Sequence, residues 1–413
     1  MPMGTRATDV ANQKALEAIA AARPVLLDIQ PAREVIPSLG SHDLLHAGPP
    51  LVAADHICGA LRGAVAGTLL LEGVTEPARG DGLPAPWRLR SADECSALGT
   101  FGGVISPSTV VFVVENTTTG TRTFSSVNEG RGAALRYGST APATLERMRW
   151  LNGEFAAVLS RAVRQLGPIE LFPLLEQALQ MGDDGHSRQK AASALFLASV
   201  APAIPSVADA AEASRGLAFL AANDFFFLPL AMAAAKSAMA AAQGIEASTV
   251  VTAIAFNGAR CGIRLAGRPG WAAARLPAIH GAYFHGRGPS DAGPVVGDSE
   301  IMETLGLGAF AMAGAPALAR YVGGSVAQAS AFTDEMYRIT VAEHPRFCIS
   351  ALDARGTPFG IDARKVVQSR IAPVFNTGIA HRDPGVGQIG AGYGRVPLEC
   401  FETALLDLQV TDD

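Results

Sequence analysis

The sequence predicts an α/β (α+β) protein with several domains. Hydrophobic residues make up 49% of the 413-residue chain and charged residues 17%, values typical of a well-packed globular protein. Runs rich in β-branched residues alternate with segments whose apolar residues recur every three or four positions. We therefore expect an N-terminal α/β domain over residues 1–140, a helical domain over 141–215 and a C-terminal α/β domain over 216–413.

The elements of the first two domains follow from these patterns. Runs of apolar and β-branched residues predict strands at Val25 to Ile29, Thr109 to Val114 and Thr123 to Val127. Apolar spacings of three and four predict helices at Leu145 to Leu166, at Ile169 to Met181, and from Asp183 or Asp184 to Leu197. Prolines stop the last of these helices, so the stretch from Pro202 to Leu217 is interpreted as a linker.

The C-terminal domain is predicted to begin with a helix from Phe225 to Gln243. Ser248 to Phe256 and Ala259 to Leu265 are predicted strands, and the Asn-Gly pair between them is a strong hairpin signal. An apolar helix is predicted from Asp298 to Gly314. Its glycines lower helix stability, so tertiary packing must hold it.

Composition and charge argue against several classes of protein. The formal net charge is −5 and no basic stripe is present, so nucleic acid is not expected as a partner. The five cysteines form no CxxC pair, which excludes a zinc ribbon and favours reduced thiols. The N-terminus lacks the apolar core of a signal peptide, and Pro229 and Lys236 interrupt the most apolar stretch. We therefore expect a cytoplasmic protein without a membrane span.

Three basic side chains in the C-terminal domain are candidates for substrate binding. On the second hairpin strand Arg260 and Arg264 point the same way, roughly 13 Å apart, with the small Gly262 between them. That arrangement would seat an anion; the alternative is a solvated strand face. Lys236 stands alone among alanines, where it would serve as a base or an anion clamp. The alternative is that Lys236 extends to a wet face.

Two acids mark the predicted helix of GPVVGDSEIMET. Asp298 stands at its start, where free backbone N–H groups can bind an anion. The alternative is that Asp298 is only the N-cap of this helix. Glu303 precedes an almost wholly apolar helix body, so its carboxylate must be either paired or functional.

The segment MGDDGHSRQK concentrates charged groups at a predicted helix start. His186 and Lys190 would share one face of that helix. The alternative is a charged helix cap with no chemical role. No second histidine accompanies His186 at the spacing of a metal site, so no metal is expected.

The best-marked site segment is the glycine-rich run from Asn376 to Arg395, NTGIAHRDPGVGQIGAGYGR. Its glycines free backbone amides to approach a ligand, and Asn376, His381 and Gln388 can bind an amide or a carboxylate. No GKS or GKT is present and GQIGAG does not fit GxGxxG, so neither a Walker loop nor a dinucleotide fold is indicated. The alternative is a flexible surface loop.

Several long motifs together resemble one family. They are LLHAGPP, SPSTVVFVVEN, NEGRG, MGDDGHSRQKAA, DAGPVVGDSEIMETLGLGAFAMAGAPA, TPFGIDARKVV and NTGIAHRDPGVGQIGAG, in this order. On these motifs the chain resembles a family once described only as a domain of unknown function (YlbE-like) and now linked to oxamate carbamoyltransferase. The resemblance covers nearly the whole chain and implies an α/β architecture with a small central helical domain.

The resemblance implies an activity, reversible carbamoyl transfer in allantoin degradation. Oxalurate and phosphate become oxamate and carbamoyl phosphate, without a redox cofactor. The resemblance also implies partner subunits, one of them similar to an acyl-CoA synthetase. A homodimer is a further expectation, because the apolar, glycine-rich helix after Asp298 would suit a dimer core.

For this chemistry the candidate residues take separate roles. His381 or His186 would move a proton, and Glu303 is a third catalytic candidate. Arg264 and the amides of residues 387–392 would bind the anion. The remaining binding candidates, several of them matched to amide groups of the ligand, are Asn257, Asn376, Gln388, Arg260, Asp298, Lys236 and His46 of LLHAGPP.

Two segments depart from the family pattern. Ser91 to Gly103 holds no histidine where the family is histidine-rich, and MGDDGHSRQ differs from the usual form of its motif. If the missing histidines bind substrate or a metal, this chain acts on another carbamoyl acceptor or has lost part of the activity. Two other classes of function stay open, a hydrolase of a small amide or ureido compound and a non-catalytic subunit.

Overall fold

The computed structural model describes residues 5–52, 56–75 and 82–410. Residues 1–4 of the N-terminus, where no signal peptide is predicted, lie outside the described residues. The α-helices of the described ranges are α1 (Thr5–Ala20), α2 (Ala32–Val35), α3 (Gly59–Leu71), α4 (Pro142–Trp150), α5 (Ala156–Leu166), α6 (Phe172–Gln180), α7 (Lys190–Val200), α8 (Ile204–Val207), α9 (Ala210–Ala222), α10 (Leu228–Ala240), α11 (Ile301–Thr304), α12 (Pro316–Tyr321), α13 (Val326–Met336), α14 (Ala363–Ser369) and α15 (Leu398–Val410).

The strands alternate with these helices, which confirms the predicted α/β class. In the same ranges they are β1 (Pro24–Pro31), β2 (Asp43–His46), β3 (Arg88–Ser91), β4 (Ala97–Leu98), β5 (Val110–Asn116), β6 (Thr121–Ser126), β7 (Ile169–Glu170), β8 (Val251–Asn257), β9 (Arg260–Leu265), β10 (Ala272–Arg275), β11 (His280–Tyr283), β12 (Val296–Gly297), β13 (Thr340–Ile349), β14 (Arg355–Ile361), β15 (Val374–Ala380) and β16 (Gln388–Arg395).

The N-terminal sheet has five strands in the order β4-β6-β5-β1-β7. Its strands β1, β5 and β6 confirm the three predicted from the sequence. Along β5, Val110, Phe112 and Val114 enter a large core shared with α5 and α10, whereas Val111 and Val113 enter a smaller core. Because both faces of β5 are covered, its sequence is a continuous apolar run rather than an alternating one.

The helical middle of the chain is confirmed in part. The helix predicted from Leu145 to Leu166 is present as α4 and α5, joined by a π-helical turn at Leu151–Phe155. The next helix begins only at Phe172, because Ile169–Glu170 pair with β1 as strand β7. The linker predicted from Pro202 to Leu217 is wrong, since α8 and α9 occupy it and the Asp209 carboxylate caps α9.

The helix start predicted at Asp183 or Asp184 is also wrong. The carboxylate of Asp184 accepts hydrogen bonds from the backbone N–H groups of His186, Ser187 and Arg188, at 3.0, 3.3 and 2.8 Å. These bonds hold residues 182–189 as a loop, and α7 begins only at Lys190. His186 and Lys190 therefore do not share a helix face.

The predicted Asn-Gly hairpin is confirmed. β8 and β9 pair antiparallel around Asn257 and Gly258, and Gly258 has the positive φ of +85° that this turn requires. They belong to a four-stranded sheet in the order β10-β9-β8-β12. The helix predicted upstream of this sheet, from Phe225 to Gln243, is confirmed as α10.

The long helix predicted from Asp298 to Gly314 is wrong. Only α11 and a 3₁₀ segment at Gly308–Gly314 form there, since Gly306 and Gly308 have φ of +84° and +61°. A right-handed helix cannot pass through residues in the left-handed region. Asp298 is consequently not the N-cap, a position that Glu300 occupies.

The glycine-rich segment is a pair of strands and not a surface loop. β15 and β16 pair antiparallel, and β16 also pairs with β11. A Cβ atom added at Gly390 would lie 2.3 Å from the carbonyl oxygen of Ala282 on β11. The glycines of β16 thus allow β11 to approach closely, a packing role the sequence does not reveal.

The apolar core joins the three parts of the chain. Its largest cluster contains Leu26 of β1, Phe172 of α6 and Phe359 of β14, which come from all three predicted domains. The domain division itself stays a prediction. No helix in the described part of the chain is both long and apolar enough to cross a membrane. The five cysteines, all within the described ranges, are free thiols.

Asn12 anchors α1 to the C-terminal half through buried hydrogen bonds. Its amide donates to Thr249 at 3.0 Å and Asp362 at 3.2 Å, and its oxygen accepts from the Thr249 N–H at 2.8 Å. We expect Asn12→Leu to lower the free energy of unfolding by about 2 kcal/mol, because it leaves buried donors and acceptors without partners. Urea unfolding followed by circular dichroism measures this. Gln13→Leu, at the exposed neighbouring position, is the control, and equal loss in both variants would contradict the prediction.

Candidate functional site

A buried histidine–glutamate pair forms the centre of the candidate site. Nδ1 of His186 lies 2.9 and 3.1 Å from the two carboxylate oxygens of Glu303. The two side chains are 4% and 0% exposed, so water does not screen their interaction. Two catalytic candidates of the sequence are thus direct partners, although 117 positions separate them.

The loop that carries His186 is held from two sides. Besides its bonds to the loop backbone, the Asp184 carboxylate accepts from the side-chain amide of Asn376 on β15 at 2.7 Å. The oxygen of that amide accepts from the hydroxyl of Ser187 at 2.6 Å. Asn376 therefore fixes the His186 loop against the sheet, and all of its side-chain hydrogen bonds are made to protein groups.

The carboxylate of Glu303 is held by backbone donors as well as by His186. It accepts from the N–H of Ala309 at 3.1 Å and the N–H of Asn376 at 3.3 Å. A Cβ atom at Gly308 would lie 2.3 Å from its Oε1, so only glycine leaves room for the carboxylate. The break in the predicted helix is therefore what allows Glu303 to reach His186.

The protonation states of this cluster follow from its burial. Burial lowers the pKa of His186, but the charge and hydrogen bond of Glu303 outweigh that effect and raise it to about 9. Burial raises the pKa of Glu303, and the His186 charge opposes that shift. Burial also raises the pKa of Glu300 to about 8. At neutral pH His186 is therefore an imidazolium bound to Glu303, with a protonated Glu300 near it.

His186 lines a small cavity of ≈ 60 Å³, which we call the His186 cavity. Nδ1 is bound to Glu303, and Nε2 has no hydrogen-bond partner among the described residues. Nε2 is therefore the ring nitrogen left for a ligand. The polar side chains that share this cavity with His186 are those of Thr100, Asn128, Arg136, Tyr137, Ser187, Ser299, Tyr321 and Gln388.

A larger cleft of ≈ 720 Å³, the outer cleft, continues from the His186 cavity. Arg136, Tyr137, Tyr321 and Gln388 are among the residues that line both. Gln388 binds across the junction, donating to the Tyr321 hydroxyl at 2.9 Å and accepting from the Tyr137 hydroxyl at 3.3 Å. The basic side chains that line the outer cleft are Arg131, Arg136, Arg188 and Lys190. Among the described residues, Asp224 is the acid that lines it.

Arg136 is the cation at the junction of the two spaces. Its side chain is 11% exposed, and its Nη2 donates to the carbonyl of Gly130 at 2.9 Å. Its Nη1 is buried without a hydrogen-bond partner and lies 3.9 Å from Glu129. Glu129 also accepts from the backbone N–H of Arg136 at 2.9 Å, which fixes the loop. A buried guanidinium with an unused donor beside a cavity is suited to bind an anion.

Several predicted site residues lie outside these two spaces. The Asn257 oxygen accepts from the N–H groups of Ala259 and Arg260, and its amide donates to Pro49, so it holds the hairpin turn. His381 accepts the N–H of Asp383 at Nδ1, at 2.9 Å, and lines neither space.

Two further candidates are engaged with the backbone. Nδ1 of His46 donates to the carbonyl of Ala47 at 2.7 Å, and burial lowers the pKa of His46. The carboxylate of Asp298 accepts from the N–H groups of Gly48 and Gly99, both at 2.7 Å. Burial raises the pKa of Asp298 to about 7. Asp298 thus ties two loops together behind the site and is not free to bind a ligand anion at a helix start.

The basic candidates of the C-terminal domain also lie elsewhere. Arg264 and Lys236 line a different cavity, where both are paired with Asp93. Arg260 stands opposite Arg275 in the pairing of β9 with β10. The sequence prediction that Arg260 and Arg264 share a face away from the core is confirmed, because Cys261, Ile263 and Leu265 between and beyond them are buried.

Arg136 and Tyr137, two of the site residues that sequence reasoning missed, come from the segment after β6. Arg136 and Tyr137 follow the motif NEGRG, which carries only the family resemblance and no periodic pattern. A charged residue beside the glycines of GRGAALRYG was the available signal. Among the described residues, no group of three or more His, Cys, Asp or Glu side chains is arranged to hold a metal ion.

Comparisons with known proteins agree over nearly the whole chain. The family model described as oxamate carbamoyltransferase subunit AllG matches residues 87–299. Oxamate carbamoyltransferase subunit AllG of Escherichia coli (strain K12) is 39% identical over 407 residues, which is 96% of each chain. Uncharacterized protein YahG of the same strain is 39% identical over 406 residues, 96% of this chain and 85% of its own.

A solved structure shows the same fold. The crystal structure of a conserved protein of unknown function from Enterococcus faecalis V583 is 35% identical in sequence. It matches this chain with a TM-score of 0.94 and covers 98% of both chains. The architecture described above is therefore that of a known, experimentally determined fold.

Removing the carboxylate partner of His186 should lower the pKa of its imidazole. We expect Glu303→Gln to lower the pKa of His186 from about 9 to 6.5 or below, because burial still lowers it and the charge that raises it is gone. NMR titration of ring-labelled histidine measures this. His344, whose pKa burial lowers to about 3, is an internal reference that stays neutral in both proteins. An unchanged His186 titration would contradict the pairing.

Proposed function

Since the chain belongs to the family of oxamate carbamoyltransferase AllG subunits, we propose that it contains the site at which the carbamoyl group is transferred. The ligands would be phosphate and a small ureido acid of the oxalurate type on one side of the reaction, and carbamoyl phosphate and oxamate on the other. The observation that carries the proposal is the His186–Glu303 pair at the wall of a small cavity that opens into the outer cleft.

The charge of His186 indicates its role. In the phosphorolytic direction a phosphate oxygen attacks the ureido carbon, a new C–O bond forms and the C–N bond to the oxamate nitrogen breaks. That nitrogen leaves with the electron pair and needs a proton. His186 is protonated at neutral pH, so its Nε2–H is the donor, and in reverse it accepts the proton from the attacking nitrogen. Glu303 holds the imidazolium in place during both directions.

The positions of the donors support placing the ureido acid at the junction of the two spaces and the phosphate beside the arginines of the outer cleft. The Tyr321 hydroxyl accepts from Gln388 at the junction, and its own O–H suits a carbonyl or carboxylate oxygen of the ureido acid. Arg136, with Arg131 and Arg188 in the outer cleft, suits the phosphate. The developing oxyanion at the carbamoyl carbon would then lie near Arg136.

The first test compares two histidines. We expect His186→Ala to lower kcat/KM for phosphate release from carbamoyl phosphate and oxamate by about a hundredfold, because proton transfer is lost. His381→Ala is the matched control, since His381 is buried to a similar degree but lines neither space, and it should change kcat/KM less than threefold (~0.7 kcal/mol). A larger loss of kcat/KM in His381→Ala than in His186→Ala would assign the proton transfer to His381.

The same assay separates this proposal from the other classes of function. The purified chain is incubated with carbamoyl phosphate, with and without oxamate, and then with partner subunits added. Release that depends on oxamate supports the transferase. Release without oxamate identifies a hydrolase. Release that needs the partners and is unchanged in His186→Ala identifies a non-catalytic subunit.

The second test concerns the anion. We expect Arg136→Gln to raise KM for carbamoyl phosphate by about tenfold or more, because a charge-assisted hydrogen bond is worth about 1.5–3 kcal/mol. Arg136→Lys should recover part of the loss, since it keeps the charge but not the planar donor pair. Arg268→Gln is the control, an arginine paired with Asp407 outside both spaces. An unchanged KM for carbamoyl phosphate in Arg136→Gln would show that the anion does not bind at Arg136.

A further inference from the structure

A second cavity, of ≈ 160 Å³, lies between α10 and the β8–β9 hairpin. Asp93 stands in it between two cations, with Oδ1 2.5 Å from Nζ of Lys236 and Oδ2 2.7 Å from Nη1 of Arg264. The three side chains are 13%, 12% and 22% exposed. These groups form one bridged cluster that is separate from the His186 cavity.

The cluster carries an excess of positive charge. Of the described residues that line the second cavity, Asp93 is the one acid, so two cations face a single carboxylate. The charges of Lys236 and Arg264 overcome the effect of burial and lower the pKa of Asp93, which therefore stays ionised at neutral pH. The groups that line the cavity therefore carry a net charge of +1. Asp298, an acid that interacts with Lys236 but does not line the cavity, is bound by the N–H groups of Gly48 and Gly99.

Hydrogen-bond donors are also left over. Nε of Arg264 is buried without a partner, while its Nη2 is only 3.4 Å from Gln243. An ammonium has three donors, and for Lys236 the bond to Asp93 is the hydrogen bond found within the described residues. Hydroxyl groups of Ser96, Thr123 and Thr252 line the rest of the polar wall.

We propose that this second cavity binds a small oxyanion, inorganic phosphate or a small carboxylate, between Lys236 and Arg264. The net positive charge supplies the attraction and the unused N–H groups supply the hydrogen bonds. The volume of ≈ 160 Å³ admits a ligand of this size and is small for a nucleotide. This site is independent of the proposed transfer site, since the two cavities share no lining residue.

Isothermal titration calorimetry with inorganic phosphate tests the site in the full chain. Arg136→Gln is used as the background so that phosphate binding at the proposed transfer site does not contribute. In this background we expect one saturable site, and addition of Arg264→Gln should weaken it at least tenfold. Arg268→Gln, an equal change outside the second cavity, should leave it unchanged. Acetate and oxamate, titrated in the same way, show whether phosphate or a carboxylate binds more tightly.

A second variant tests the sign of the charge effect and does not depend on removing a cation. Asp93→Asn removes the competing carboxylate, so phosphate should bind more tightly than in the background protein. The proposal is overturned if no oxyanion saturates the background protein at 20 mM (~2 kcal/mol of binding free energy), or if Arg264→Gln and Arg268→Gln bind phosphate equally. Circular dichroism and thermal unfolding of each variant verify that the fold is retained.

Discussion

The burial of the Glu303 carboxylate is the constraint on which the centre of the molecule depends. An ionised carboxylate without partners in the interior costs several kcal/mol, so the surrounding chain must supply donors. Those donors come from His186 in the loop after α6, from the N–H of Ala309 and from the N–H of Asn376 on β15. Because these segments are far apart in the sequence, the carboxylate is satisfied only when the helical middle of the chain has assembled on the C-terminal sheets.

The same constraint explains why the helix predicted from Asp298 to Gly314 does not form, although Glu303 is paired as expected. Apolar periodicity predicted a helix through Gly306 and Gly308, but a continuous helix would leave no space beside Glu303 and no free N–H at Ala309. The chain instead breaks at two residues with positive φ, which periodicity cannot detect. A buried acid before an apolar segment must be paired on electrostatic grounds alone, and Glu303 is indeed paired with His186.

Local patterns predicted the strands and the hairpin because those depend on neighbours in sequence, such as the Asn-Gly pair before Arg260. Which candidates meet could not be predicted, because it depends on contacts between distant segments. His186, Glu303 and Asn376 converge, whereas Arg264 and Lys236 meet each other at Asp93. The alternation of side chains along β9 predicted which face Arg264 lies on. It could not show that Asp93, an acid from another segment, would bind Arg264.

The segment that departs from the family pattern, Ser91 to Gly103, contributes groups to both cavities and to the hydrogen bonds of Asp298. It contributes Asp93 to the second cavity, the Gly99 N–H to Asp298, and Thr100 with Phe101 to the His186 cavity. The segment contributes a hydroxyl and a phenyl group to that cavity, and neither of them titrates near neutral pH. On the proposed function, proton transfer then rests on His186, and a change of carbamoyl acceptor would come from the shape of the wall at Phe101 rather than from its charge.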